Sequence, residues 1–145
     1  MPKAYASTVL DAPAKDVWAV IRDFNGLPAW NPGVDRSEIE DGRAADAVGC
    51  VRSFSLKDGA HLRERLLAFS DLEMSMTYNF EKTPFDVQNY CATLRLTPVT
   101  DGDRCFAEWW TTFDCDVAKS EEWVQTFAST IFKGGLDALK ARFGG

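Results

Sequence analysis

Histidine is almost absent from this chain, His61 being the single copy. That scarcity excludes metal sites built on paired imidazoles and mechanisms that need two of them. Cysteine is sparse too. Cys50, Cys91, Cys105 and Cys115 show no C-x-x-C spacing and stand in hydrophobic, strand-like surroundings, which reads as reduced core thiols rather than a metal site or a disulfide framework. No G-x-S-x-G elbow, phosphate loop or dinucleotide fingerprint occurs. Covalent and nucleotide-dependent chemistry lose their usual signals, and neither metal nor cofactor is expected. No apolar run approaches the roughly 18 residues of a membrane span, and the opening Met1-Pro2-Lys3-Ala4-Tyr5 lacks the apolar core of a signal peptide. The expectation is a cytoplasmic protein without membrane insertion. Excess positive charge is also missing. Sixteen Lys and Arg against 22 Asp and Glu leave a net charge of −6, so nucleic acid and anionic membranes, which need a concentrated cationic patch, are not expected partners. Even the densest basic spot, Arg63 and Arg65, is split by Glu64.

What the chain does hold is a globular composition, 46% hydrophobic over 145 residues, enough to bury a core as one domain, residues 1–145, without staples. The stretch from Ser120 to Gly145 spaces Val124, Phe127, Ala128, Ile131, Phe132, Ala138, Leu139 and Phe143 as one long amphipathic helix. Ser120 is its candidate N-cap, with Glu121 and Glu122 at the positive end of the helix dipole. Gly134 and Gly135 each cost about 1 kcal/mol in a helix interior. They leave room for a strand, a bend or a ligand, or they are a tolerated kink.

Ahead of that helix, Lys3 to Leu10 reads as a first strand. Pro13 opens a helix carrying Val17, Trp18, Ile21 and Phe24, and Pro28 with Pro32 brackets a single turn around Trp30. Strands are then expected at 34–40, 48–56, 61–69, 73–80, 87–97 and 104–114, separated by turn signals such as Asp41-Gly42, Asp58-Gly59 and Asp101-Gly102. This order is α+β: a seven-stranded antiparallel sheet wrapped around the C-terminal helix, with two short helices after the first strand.

On the fourth strand Leu62, Glu64 and Leu66 share one face, and Arg63, Arg65 and Leu67 the other. Both faces carry apolar as well as charged residues, so periodicity leaves the orientation open. If Glu64 faces inward it needs a cationic or hydrogen-bonding partner, a proton, or a solvent-lined cavity. Arg52 on the neighbouring strand is the candidate partner, either inside a pocket or as an ion pair on the rim or outer face.

The segments Val9-Leu10-Asp11-Ala12-Pro13 with Val17-Trp18, Leu27-Pro28-Ala29-Trp30-Asn31-Pro32, Leu62-Arg63-Glu64-Arg65-Leu66, Asn89-Tyr90, and the long helix with Phe127 and Ile131 resemble the START/Bet v 1-like (SRPBCC) superfamily. Within it the chain looks like the bacterial polyketide cyclase/dehydrase-type proteins, relatives of the plant abscisic-acid receptors. The resemblance implies a helix-grip fold enclosing a cavity for an apolar or amphipathic molecule. Its cavity-lining places fall on Asp35, Phe54, Leu56, Leu62, Glu64, Tyr78, Phe80, Val87, Tyr90, Phe127, Ile131 and Gly135. Arg52 and Trp30 join them as candidate ligand contacts from their own positions. The receptors carry a lysine where Asp35 stands, and their gate and latch loops differ from Asp58-Gly59-Ala60-His61 and Thr83-Pro84-Phe85-Asp86. Abscisic acid is therefore not implied.

Three functions follow as expectations. The first is binding or carriage of a small hydrophobic molecule, including lipid. The second is a cyclase or dehydratase in which Glu64 is the base and Tyr90 or Arg52 stabilises an enolate. The third is a protein-interaction module, with the chain a monomer or a homodimer. His61, beside the gate, is either an acid or base near neutral pH or an exposed turn residue.

Overall fold

Side chains that alternate in polarity at every second position fit a sheet with one dry face. The computed structural model describes Met1 to Gly145 and forms β1 (Lys3–Leu10), β2 (Val34–Ile39), β3 (Val51–Leu56), β4 (His61–Ser70), β5 (Ser75–Lys82), β6 (Gln88–Val99) and β7 (Arg104–Asp114). All seven lie in one antiparallel sheet, in the order β1-β7-β6-β5-β4-β3-β2. The alternation is clearest on β7, where Cys105, Ala107, Trp109, Thr111 and Phe113 are buried and the residues between them are half-buried.

Consecutive β1 and β2 occupy opposite edges, so the segment joining them must cross the concave side. It does so as α1 (Ala14–Ile21) and α2 (Leu27–Trp30). Pro13 stands at the N-cap of α1, whose buried stripe is Ala14, Val17, Trp18 and Ile21. Phe24 is fully buried but lies beyond that helix, in a turn closed by Gly26 N–H on the Asp23 carbonyl at 2.8 Å.

The C-terminal helix departs from the single α-helix expected. A turn at Val117–Lys119 leads into α3 (Ser120–Gln125), a π-helical stretch at Thr126–Phe132, and α4 (Lys133–Phe143). Asp116 rather than Ser120 caps it, accepting from Ala118 N–H at 3.1 Å. In the π stretch Lys133 N–H bonds to the Ala128 carbonyl, five residues back. A strict α-helix would set Ile131 below Phe127 and turn Phe132 aside. The wider turn buries Phe127 and Phe132 completely and leaves Ile131 half-buried against the cavity.

Gly135 permits close packing of this helix on the sheet. A Cβ there would sit 2.6 Å from the Trp109 ring, whereas one at Gly134 would meet nothing within 4 Å. The occupant of the space left by Gly135 is a strand side chain. None of the four cysteines is disulfide-bonded; Cys50 and Cys105 are buried, and Cys91 and Cys115 half-buried.

Candidate functional site

The β3–β4 register sets Arg52 directly opposite Glu64 and Phe54 opposite Leu62. Because the side-chain period of a strand is two, all four project to the concave face. Arg52 and Glu64 are each only 4% exposed. Arg52 Nε donates to Glu64 Oε1 at 2.8 Å, Nη2 lies 2.6 Å from the same oxygen, and Nη1 donates to the Phe24 carbonyl at 3.0 Å. The guanidinium carbon sits 3.9 Å from the centroid of the Phe24 ring and 4.9 Å from that of Tyr78. Every guanidinium nitrogen therefore has a protein acceptor. Glu64 is different: its contacts converge on Oε1, and the protein donates no hydrogen bond to Oε2. Asn79 Oδ1 is the one fully enclosed side-chain polar atom without a partner, so Oε2 keeps access to the space in front of it. Burial raises the Glu64 carboxyl above the usual carboxylate range, against the downward pull of Arg52.

That space is a cavity of about 90 Å³, walled by Phe54, Leu56, Leu62, Tyr78, Phe80 and Tyr90 from the sheet, by Leu27, Asn31, Val34, Phe85 and Trp109, and by Ile131 from the C-terminal helix. Trp109 Nε1 donates to the Tyr78 hydroxyl at 3.0 Å. Burial, with Glu64 nearby, raises both phenols, Tyr78 and Tyr90, so both stay neutral hydrogen donors at any ordinary pH. Asn31, Val34, Leu56 and Ile131 also border a groove of about 320 Å³ that runs outward past Lys57, Asp58, Thr130 and Gly134. The interior thus has a mouth. Phe85, in the turn after β5, closes another side, with its ring centroid 5.8 Å from Phe80 and 5.7 Å from Phe127.

The sequence profile described as polyketide cyclase/dehydrase and lipid transport matches residues 1–144. The chain belongs to that family. Among solved structures it resembles the protein XoxI from Bacillus cereus, at 32% identity and a TM-score of 0.89, over 99% of this chain and 96% of that one. An uncharacterised protein from Bacillus thuringiensis is 31% identical, with a TM-score of 0.87 over 97% of this chain and 98% of that one. Norcoclaurine synthase from Thalictrum flavum, at 16% identity and a TM-score of 0.75 over 97% of this chain and 92% of that one, shares the fold. These likenesses agree with the seven-stranded sheet and long C-terminal helix expected of a Bet v 1-like chain. No helix is long and apolar enough to cross a membrane.

Against this family fold, the expected cavity positions separate into two groups. Arg52, Phe54, Leu56, Leu62, Glu64, Tyr78, Phe80, Tyr90 and Ile131 come together around the space. Asp35 does not. The β2–β3 register shifts between Val34 and Arg36, and this bulge leaves Asp35 exposed on the outside. Phe127 is fully buried behind the wall, its centroid 5.1 Å from both Tyr90 and Phe113. Val87 and Trp30 are core residues, Trp30 lying 6.1 Å from Trp109. Gly135 borders the outer groove rather than the inner cavity. His61 is exposed on the convex side, with Nε2 3.0 Å from Ser53 Oγ, away from the cavity. Leu27, Asn31, Val34, Phe85 and Trp109 were not anticipated as walls. Of these, Trp109 had a readable signal, the strict alternation of β7 that aims it inward.

Proposed function

We propose that this chain binds or carries a small hydrophobic or amphipathic molecule, with its apolar part in the inner cavity and the remainder in the mouth groove. The observation that carries the reading is an apolar-walled space, open through a neck at Leu56 and Ile131, with one unpartnered carboxylate oxygen inside it. The inner volume of about 90 Å³ suits a single ring or a short branched chain, and anything larger must extend into the groove. The lipid-transport part of the family description points the same way. A thermal-shift screen of single-ring aromatics and short isoprenoids should raise Tm, because a ligand that binds only the folded state stabilises it. Ile131→Trp, which plugs the neck, should abolish the shift while the unliganded protein stays folded. A screen without hits, or hits that survive the plug, overturns this reading.

A cyclase or dehydratase reading has its own support. The Glu64 carboxyl is raised toward the range useful to a general base, and Oε2 is free to take a proton. If Glu64 is the base, Glu64→Gln abolishes turnover of a β-polyketone substrate while binding survives. Unchanged turnover removes it from any mechanism.

A further inference from the structure

The hydrogen-bond inventory of the pair says what kind of ligand the cavity is built to take. Along β3, Leu56, Phe54 and Arg52 face inward in succession from the mouth, so the pair lies roughly 13 Å inside at about 3.3 Å per residue. Past the polar mouth, the β3 side chains a guest meets are apolar first and charged last. At that inner end each guanidinium nitrogen of Arg52 already holds one protein acceptor, and only the second N–H of Nη1 and of Nη2 is left over. Nε and Nη2 serve Glu64, Nη1 serves the Phe24 carbonyl, and the ring of Phe24 covers one face of the guanidinium. The ion pair is neutral as a unit, with no excess positive charge for an anion. What remains open is Glu64 Oε2, an acceptor on a side chain 4% exposed, with Tyr90 on the cavity wall beside it. A ligand carboxylate placed there would set its charge against Oε2 without a free cation to repay its desolvation. A ligand O–H or N–H placed there gains a charge-assisted hydrogen bond.

Resting on the binding reading above, we infer that the pocket selects ligands whose buried end is an uncharged hydrogen-bond donor, an alcohol, phenol or neutral amine, attached to an apolar body that points toward the mouth, and that it rejects carboxylates. The donor engages Glu64 Oε2. The apolar body lies between Phe54, Leu62 and Phe80, and any polar tail emerges beside Asn31, Lys57 and Thr130.

The test uses the full chain and three probes of one shape: 4-propylphenol, propylbenzene and 4-propylbenzoate, titrated at pH 8 by calorimetry or by NMR shifts. Because a hydrogen bond to a buried charge is worth more than a neutral one, 4-propylphenol should bind about tenfold or more tightly than propylbenzene, and 4-propylbenzoate weaker than both. Equal affinity of the phenol and the hydrocarbon, or tighter binding of the benzoate, overturns the inference and leaves the binding reading standing. Failure of all three to bind overturns both. Glu64→Gln replaces Oε2 with an amide donor or leaves the amide oxygen divided between Arg52 and the ligand, so the phenol preference should fall to about that of the hydrocarbon. Should Glu64→Gln fail to fold, the double variant Arg52→Met/Glu64→Leu serves the same purpose, with the preference expected to disappear. Retention of the preference in a folded double variant overturns the assignment to Glu64.

Discussion

On the side of the sheet formed by β1, β6 and β7, aromatic rings fill the interior against one another: Phe113 and Phe127 lie 5.1 Å apart, and Trp109 and Phe132 stack at 4.9 Å. On the side formed by β3, β4 and β5, the rings of Phe54, Tyr78 and Phe80 surround a space that Tyr90 of β6 and Trp109 of β7 close from the filled side, and Phe24 covers an ion pair. The same curled sheet therefore does two jobs. The filled side gains dispersion and burial from Leu94, Leu96, Leu136 and Leu139. The hollow side carries two costs, a void and a desolvated pair of charges, which that packing must offset. A chain of this length can hold an internal site because the ion pair and most of the cavity wall lie on one side, with the dense packing on the other.

The contrast breaks first at Phe127. Its fully buried ring meets Phe85, Tyr90, Phe113 and Trp123, so Phe127→Ala should cost about 4 kcal/mol in urea unfolding, against about 2 for Leu62→Ala on the hollow side. Equal losses would mean that the two halves are packed alike. Next, Arg52→Met leaves the Glu64 carboxylate without its counter-charge and should lose about 3 kcal/mol, while Arg52→Met/Glu64→Leu should recover that loss or exceed the parent. The same comparison has a pH signature. Burial raises the folded-state Glu64 carboxyl above its ordinary 4.5, so the folded chain holds that proton more tightly than the unfolded one. The parent should thus gain stability relative to the double variant as the pH falls through the folded-state value toward 4.5, and lose it again as the pH rises. A flat difference would remove Glu64 from the linkage. The smallest effects come from the adjacent glycines. Gly135→Ala drives a methyl into Trp109 and should cost about 2 kcal/mol, whereas Gly134→Ala, with open space around it, should gain up to about 1.

The alternation of the strands, the proline-marked helices and the final amphipathic stripe made the architecture legible from residues alone. The orientation of β4 was not, because each of its faces mixes charged and apolar side chains. It is fixed by pairing across strands, Arg52 with Glu64 inside and Arg63 with Glu40 outside, which no single strand encodes. Asp35 was assigned to the cavity by the family resemblance, and the bulge between Val34 and Arg36 leaves it exposed instead. Phe127 was assigned to the cavity by the same resemblance, whereas the widened helix at Thr126–Phe132, which a 3.6-residue period does not mark, buries it behind the wall. For the glycine pair, room and a tolerated kink were both left open by the sequence, and the structure shows a need for room at Gly135 alone. Which neighbour used it depended on Trp109, about 26 residues upstream on β7.

The pairing of β1 with β7 joins Lys3 to Thr112 and Leu10 to Cys105, so the first strand made is among the last to find its place. The hairpins from β2 to β6 can zip from neighbours in sequence, whereas β1 must wait for the opposite end of the meander to be synthesised. On the ribosome the hollow half can therefore take shape first, roofless, with the dense half and the gripping helix arriving as its seal.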